Sequence, residues 1–219
     1  MSVGVKCIGI RDAGNESVDD RCVYLTFDDG PDRRNTSEIL SVLSEYNVPA
    51  TFCVLGVYAL RERDLIRRMA SEGHEIVNHS MSHADLSKCD IAELQYQIDQ
   101  ACFAIKSVCP GGVIRYFRAP YGRWTDSVIY CAAQRGMLPL YWSIDPRDWS
   151  RPGVDKIVSV VLEAARPGSV ILLHDGCPPN EQGGGSRNCR RDETVLAVAR
   201  LIPALHGLGL KIAALPNLE

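Results

Sequence analysis

The chain has 219 residues, of which 46% are hydrophobic and 23% charged, proportions typical of a soluble globular protein with one substantial core. Its net charge of −3 at pH 7 argues against a nucleic-acid-binding surface, which usually carries a basic patch. It contains no run of about 18 apolar residues, so no membrane-spanning helix is expected.

The cysteines indicate a reducing environment. There are nine of them, an odd number, and none forms a C-x-x-C pair. Residues 1–20 lack the basic segment and apolar run of a signal peptide. We therefore expect reduced thiols in a cytoplasmic protein. Cys177 and Cys189 flank one loop and could pair, but a cytoplasmic location disfavours this.

Short apolar runs alternate with helical patterns along the whole chain, which favours a parallel sheet connected by helices. Predicted strands cover 22–27, 50–55, 75–78, 114–118, 138–143, 169–173 and 210–213. Predicted helices cover 36–46, 62–72, 91–108, 126–135, 154–165 and 193–206. The N-cap residues we expect are Asp90 (in a capping box with Glu93), Thr125 and Asp192. Gly73 and Gly136 fit the position just after a helix end.

This alternation, with no linker and no internal repeat, predicts one α/β domain over 21–214. Residues 1–20 would form an N-terminal extension and 215–219 a C-terminal tail. The segment 176–191, rich in Gly, Pro and Asn, is the one long irregular stretch. A loop of this length is either functional or simply mobile.

Polar side chains follow the predicted strands at their carboxyl ends. Asp28 and Asp29 follow the first, and His79 and His83 follow the third. Arg118, Asp145, Asp148 and His174 occupy equivalent places after later strands. In a barrel these ends share one face and converge on one site, whereas an open sheet would spread them along an edge. Five contributing strands therefore favour an irregular, distorted seven-stranded (β/α) barrel.

The adjacent carboxylates Asp28 and Asp29 repel each other unless a positive group neutralises one of them, and a metal ion is the obvious candidate. The spacing of His79 and His83 places both imidazoles on one side of a helical turn, which suits a single metal. Three protein ligands with a spare carboxylate indicate metal-assisted hydrolysis. His174 could then protonate a leaving group.

Five segments together resemble the polysaccharide deacetylases, which form carbohydrate esterase family 4 and share the nodulation-protein-B homology domain. The segments occur in the family's order and span most of the chain. They are TFDDGP (26–31), HSMSH (79–83), RAPYG (118–122), DPRDW (145–149) and LLHD (172–175).

The resemblance implies a distorted (β/α) barrel and a role for each matching residue. It implies the metal ligands Asp29, His79 and His83, holding zinc or another divalent ion such as cobalt. The other roles that it implies are Asp28 as catalytic base, His174 as general acid, Arg118 orienting the base, Asp148 tuning the acid, Tyr121 stabilising the oxyanion through its backbone N–H, and Trp149 forming a groove wall.

Segments 65–69, 146–155 and 172–179 extend the similarity to the members of the family that act on chitin oligosaccharides. This implies N-deacetylation of the non-reducing terminal N-acetylglucosamine of a chitin oligomer during synthesis of a lipochitooligosaccharide nodulation signal. Separately, we expect the protein to be a monomer. The alternatives are a peptidoglycan or internal-position chitin deacetylase and, from another class, an inactive carbohydrate-binding module.

Overall fold

The computed structural model describes residues 21–179 and 189–216. That part of the chain contains seven strands, β1 (Cys22–Gly30), β2 (Thr51–Val54), β3 (Glu75–Asn78), β4 (Tyr116–Phe117), β5 (Leu138–Pro139), β6 (Val170–His174) and β7 (Lys211–Ile212). Its α-helices are α1 (Asn35–Glu45), α2 (Gly56–Arg61), α3 (Arg63–Ser71), α4 (Ile91–Val108), α5 (Asp126–Ala133), α6 (Val154–Ala164) and α7 (Asp192–Gly207). The predicted extension 1–20 lies outside the described residues.

All strand pairs are parallel, as the alternation of strands and helices predicted. The order across the sheet is β5-β4-β3-β2-β1-β6, and β7 pairs with the start of β1. An isolated bridge between Ile144 and Ile171 brings the chain after β5 against β6, which curls the sheet towards closure. The fold is therefore the expected irregular α/β barrel of one domain.

Two apolar clusters stabilise the barrel. The larger one packs the helices against the outside of the sheet through buried side chains such as Phe27, Ile39, Phe52 and Leu201. The smaller one lies on the other side of the sheet and includes Tyr24, Cys53, Val77 and Leu140. Burial of apolar area is the main stabilising contribution to such a fold.

Several local predictions are confirmed. The Asp90 carboxylate accepts a hydrogen bond from the Glu93 N–H (2.8 Å), and the Thr125 hydroxyl caps α5 by accepting from the Val128 N–H (3.3 Å). Gly73 and Gly136 end their helices with positive φ, which glycine adopts at little cost. Asp192 is instead the first residue of α7, because Arg191 takes the N-cap position, and the Arg191 side chain makes no capping bond.

The prediction of reduced thiols is wrong for Cys177 and Cys189, which form a disulfide with 5.2 Å between their Cα atoms. Tertiary contacts fix both residues. The Tyr58 hydroxyl donates to the carbonyl of Cys177 (2.8 Å), and the Asn35 amide contacts the carbonyl of Cys189 (3.5 Å). Helices distant in sequence thus hold the two cysteines together, and spacing along the chain carries no signal of this.

We expect loss of this disulfide to lower the thermal unfolding midpoint by about 5–10 °C. Closing a loop of this length contributes roughly 2–4 kcal/mol, and each kcal/mol corresponds to about 2–4 °C in a chain of this size. The measurement compares the native protein with the Cys177→Ser, Cys189→Ser double variant by calorimetry, with and without reductant. Reductant should lower the unfolding midpoint of the native protein and leave that of the double variant unchanged. Alkylation of both cysteines in the unreduced native protein would contradict the pairing.

No helix within the described residues is long and apolar enough to cross a membrane. The predicted monomer stays a prediction.

Candidate active site

A cavity of about 560 Å³ opens at the carboxyl ends of the strands. Seven of the nine predicted site residues line it, namely Asp28, Asp29, His79, His83, Tyr121, Trp149 and His174. Asp148 lies beneath His174, whose Nδ1 it contacts. Arg118 lies below Asp28, fully buried. The barrel thus brings the predicted residues to one place.

A bulge in β1 places the two adjacent carboxylates on the same site. Asp28 pairs with Cys53 and Gly30 with Val54, so Asp29 is an extra residue in the strand, with φ of 73°. In a regular strand neighbouring side chains point to opposite faces, and a bulge re-aims them. Without this bulge, Asp28 and Asp29 would lie on opposite faces of the sheet.

Gly176 makes room for the bulge. A Cβ atom at this position would overlap the backbone carbonyl of Asp29, so the chain after β6 can approach the bulge only as glycine. The main-chain N–H of Asp175 also donates to the carbonyl of Asp28 (3.1 Å). The two strands that carry Asp28 and His174 are thereby fixed against each other where the chemistry is expected.

Asp29, His79 and His83 form a buried group whose potential ligand atoms all lie within 4.8 Å of one another. The Asp29 Oδ1 atom is 3.2 Å from His83 Nε2 and 3.5 Å from His79 Nε2. His79 Nδ1 lies 2.8 Å from the carbonyl of Arg118, which can only accept a hydrogen bond. The proton therefore sits on Nδ1, and the Nε2 lone pair faces the group, as a metal ligand requires. These three residues fit a divalent metal ion.

The predicted helical turn for the two histidines is wrong. Residues 79–83 form an irregular loop in which Ser80 and His83 have φ of 71° and 62°. The Ser80 hydroxyl accepts from the N–H of His83 (3.0 Å), and Asn78 Oδ1 accepts from the N–H of Ser80 (2.8 Å). Side-chain hydrogen bonds to the backbone, rather than helical geometry, thus bring the imidazoles together.

Asp28 and Arg118 form a buried ion pair. Arg118 Nη1 donates to Asp28 Oδ1 (2.7 Å) and to the Thr26 hydroxyl (2.8 Å), so both the guanidinium and the carboxylate have fixed orientations. Burial disfavours the guanidinium charge, but the adjacent carboxylate outweighs it, and the pKa of Arg118 stays raised. Asp28 Oδ2 remains on the metal side, 3.6 Å from His79 Nε2.

His174 and Asp148 form a second charged pair on the other side of the cavity. Asp148 Oδ1 accepts from His174 Nδ1 (2.8 Å), and Oδ2 accepts from the main-chain N–H of His174 (2.9 Å). Burial alone lowers the pKa of His174, but the Asp148 carboxylate outweighs burial and raises the pKa to about 9. The geometry selects Asp148, because Asp145 Oδ1 instead accepts from the N–H of Arg147 (2.8 Å).

Burial and the neighbouring charges act in opposite directions on the metal-ligand group. Burial lowers the pKa of His79, but the carboxylates of Asp28 and Asp29 outweigh burial and raise that pKa. Burial lowers the pKa of His83 to about 4, which keeps its imidazole neutral. Burial raises the pKa of Asp29, but the neighbouring imidazoles, with His79 foremost, outweigh burial and hold that pKa below its ordinary value. A neutral imidazole and an ionised carboxylate are the forms that bind metal.

Aromatic side chains form the rim. Tyr121 and Trp149 are 45% and 41% exposed, which leaves ring surface open to a ligand. The Tyr121 ring packs edge-on against His83, with 4.4 Å between ring centroids, and Trp149 lies 5.0 Å from the Arg147 guanidinium. Trp142 also lines the cavity.

A parallel α/β barrel that presents a carboxylate–imidazole metal group between two further acid–base groups has the arrangement of a metal-assisted hydrolase. The sequence model described as polysaccharide deacetylase matches residues 15–140. The chain belongs to this family and is an amide-bond hydrolase.

Individual members of the family are similar to this chain over almost its whole length. The chitooligosaccharide deacetylase of Sinorhizobium fredii is 53% identical over 195 residues, which cover 89% of this chain and 90% of that protein. A peptidoglycan-N-acetylglucosamine deacetylase of Bacillus cereus is 35% identical, covering 91% and 88%. The structure of a family 4 carbohydrate esterase from Streptomyces lividans in complex with acetate superposes with a TM-score of 0.77 at 30% identity, covering 88% and 92%.

Proposed function

We propose that this protein removes the N-acetyl group from the non-reducing terminal N-acetylglucosamine of chitin oligosaccharides, in the synthesis of a lipochitooligosaccharide nodulation signal. The observation that carries the proposal is the buried Asp29–His79–His83 group with an Arg118-bound carboxylate on one side and an Asp148-bound imidazole on the other. The choice of chitin oligosaccharides rests on the relatives of about 50% identity that carry the name chitooligosaccharide deacetylase.

Asp29, His79 and His83 would hold the metal. Two imidazole nitrogens and one carboxylate oxygen suit zinc, and cobalt has similar preferences. The bound ion would supply a Lewis acid that polarises the acetamide carbonyl and acidifies a water molecule.

Asp28 takes the role of general base. Its Oδ1 is held by Arg118, so Oδ2 is the oxygen left to accept a proton from the attacking water. The guanidinium fixes the orientation of the carboxylate and prevents its rotation. The main-chain N–H of Tyr121 would donate to the oxyanion that develops on the former carbonyl oxygen. Tyr121 has φ of 58°, an uncommon conformation that aims this turn towards the cavity.

His174 takes the role of general acid. With Nδ1 donating to Asp148, the opposite ring nitrogen, Nε2, is the one that can serve the cavity. A pKa of about 9 keeps the imidazole protonated at neutral pH. Nε2 can then give its proton to the sugar nitrogen as the C–N bond breaks, so that acetate and the free amine leave. The exposed ring of Trp149 would form a wall of the sugar groove.

The experiment is deacetylation of N-acetylchitotetraose by the zinc-loaded protein, with acetate quantified and the product sequenced by mass spectrometry. We expect one acetyl group to be lost, from the non-reducing end. Dialysis against a chelator should abolish acetate release, and zinc or cobalt should restore it. An Asp29→Ala variant, which lacks a ligand, should stay inactive after metal is added.

The alternatives give different outcomes in the same assay. Loss of acetyl groups from internal units would identify an internal-position chitin deacetylase. Activity on peptidoglycan fragments alone would support the relationship to the Bacillus cereus protein instead. Acetate release that is indifferent to metal removal would contradict the mechanism, and binding without acetate release would indicate a carbohydrate-binding module.

A further inference from the structure

The first turn of α7 holds the short turn that carries Asp148. Arg151 forms ion pairs with Asp192 (3.2 Å) and Glu193 (3.3 Å), and Glu193 Oε2 accepts from the N–H of Gly153 (2.8 Å). One residue further along the helix, the Thr194 hydroxyl donates to Asp148 Oδ2 (2.7 Å). Helix α7 therefore contacts the acid–base machinery from a place in the sequence that no active-site motif covers.

Thr194 gives the Asp148 carboxylate a hydrogen-bond donor that does not belong to His174. Asp148 is 1% exposed and Thr194 is fully buried, so water does not replace either partner. Two of the donors to Asp148 belong to His174, its ring Nδ1 and its main-chain N–H. Oδ2 also accepts from Thr194, a residue on a separate helix. This third hydrogen bond opposes rotation of the carboxylate away from the imidazole plane.

We propose that Thr194 is a positioning residue for the general acid, which it orients by fixing the Asp148 carboxylate that binds His174. This inference rests on the proposed function, because it assumes that His174 donates the proton. Thr194 does not line the cavity and would not touch the substrate. Its effect should therefore fall on the proton-transfer step rather than on substrate binding.

Loss of the hydroxyl should lower kcat about tenfold, with KM changed by less than about twofold. A hydrogen bond to a charged group is worth more than one between neutral groups, and its loss at a buried carboxylate leaves an acceptor lone pair unsatisfied. An unchanged KM with a lowered kcat is the signature of an interaction that matters in the transition state.

The pH profile gives a second readout. His174 faces the carboxylate of Asp148 on its turn and the carboxylates of Asp28 and Asp29 on β1. It also faces His83 of the metal-ligand group, and Arg191, just before α7, lines the same cavity. If the carboxylate of Asp148 becomes free to rotate, the imidazolium is stabilised less well and loses its proton at lower pH. The basic limb of the profile of kcat against pH should then move to lower pH by up to about one unit.

The test compares Thr194→Val, which removes the hydroxyl at nearly constant volume, with Thr194→Ser, which retains it. The valine variant should show the lowered kcat and the shifted limb, and the serine variant should restore both. Thr51→Val is the matched control. Thr51 is fully buried at the start of β2, and its hydroxyl has no hydrogen-bond partner among the described residues. Thr51→Val should leave kcat and the pH profile unchanged.

Thr194→Ala is the second hydroxyl-free variant, used if the valine variant unfolds, and thermal unfolding of every variant is recorded beside its kinetics. A folded hydroxyl-free variant with the kcat and pH profile of the wild type would overturn the inference. A Thr194→Ser variant with the same lowered kcat and shifted limb as Thr194→Val would also overturn it. The proposed function is tested separately by His174→Ala. Full activity of that variant would refute the acid role itself, whereas an inactive His174→Ala with a normal Thr194→Val would refute only the role of Thr194.

Discussion

Replacement of Asp28 by asparagine should lower kcat by about 10²–10⁴-fold, the range that a positioned general base contributes. The amide has almost the same shape as the carboxylate, but it cannot accept a proton from water at neutral pH. Its oxygen can still accept a hydrogen bond from Arg118 Nη1, which lies 2.7 Å from Asp28 Oδ1 in the native protein. The change therefore removes the base and leaves the neighbouring geometry largely in place.

Metal binding separates this explanation from general damage to the site. Asp28 is not a member of the three-residue ligand group, so Asp28→Asn should still bind one zinc ion, measured by competition with a chromogenic chelator. The variant should be less stable, by up to about 3 kcal/mol, because Arg118 is fully buried and would lose its charged partner. Thermal unfolding of the variant gives that figure independently of its activity.

Asp145→Asn is the matched control for Asp28→Asn. Asp145 lines the same cavity, but its carboxylate accepts from the backbone of its own turn, the N–H of Arg147. This variant should keep kcat within about threefold. A kcat for Asp28→Asn above one tenth of the wild-type value, in protein with full zinc occupancy, would remove Asp28 from the role of base.

The convergence of the site was predictable because it depends on topology alone. Parallel strands joined by helices present all their carboxyl ends on one side, so polar residues that follow separate strands must meet there. Asp28 in β1 and His174 in β6 are neighbours in the sheet, directly paired in register although they lie far apart in sequence. The apolar runs needed only to be identified as strands for this conclusion. Errors of up to four residues at their ends, the largest at β5, which ends at Pro139 rather than at 143, did not alter it.

The local geometry of the site was not predictable, because contacts between distant segments determine it. The bulge that turns Asp29 towards the metal-ligand group depends on close approach of the Gly176 backbone, from the segment that follows β6. The loop conformation at His83 depends on backbone hydrogen bonds that the Ser80 hydroxyl and Asn78 Oδ1 accept, rather than on the helical preference that the spacing of the histidines suggested. Helix α2 was missed because its six residues, GVYALR, are too few to show a helical period.

Thr194 illustrates why supporting residues escape sequence reasoning. It lies 46 residues from Asp148, inside a helix whose pattern is explained by packing against the sheet. A threonine at a buried helical position is ordinary, and nothing in its neighbourhood along the chain indicates a carboxylate partner. Only the docking of α7 against the Asp148 turn reveals the contact.

Replacement of Asp148 by asparagine should move the basic limb of activity from near pH 9 to below pH 7. Burial disfavours the imidazolium of His174, and the Asp148 carboxylate reverses that effect and raises the pKa of His174 to about 9. Without the negative charge, burial dominates and the pKa falls below its ordinary value near 6.5. At pH 7 most of the acid would then lack its proton, and kcat should fall by at least about fourfold, the factor for a pKa at the ordinary value. Activity of the variant should rise as the pH is lowered towards 6, which is opposite to the trend expected if the base limited the rate.

The same pKa shift predicts how stability depends on pH, which tests it without any substrate. A histidine whose folded pKa is raised contributes stability that is fully present below its unfolded pKa and is lost as pH rises through its folded pKa. For His174 this window runs from about pH 6.5 to about pH 9. The stability lost across it is at most about 3 kcal/mol. The free energy of unfolding of the wild type, measured with urea at pH 6 and pH 9.5, should therefore decrease by more than that of Asp148→Asn. Equal decreases in the two proteins would mean that Asp148 does not hold the proton on His174, and the general acid would then need another source for its charge.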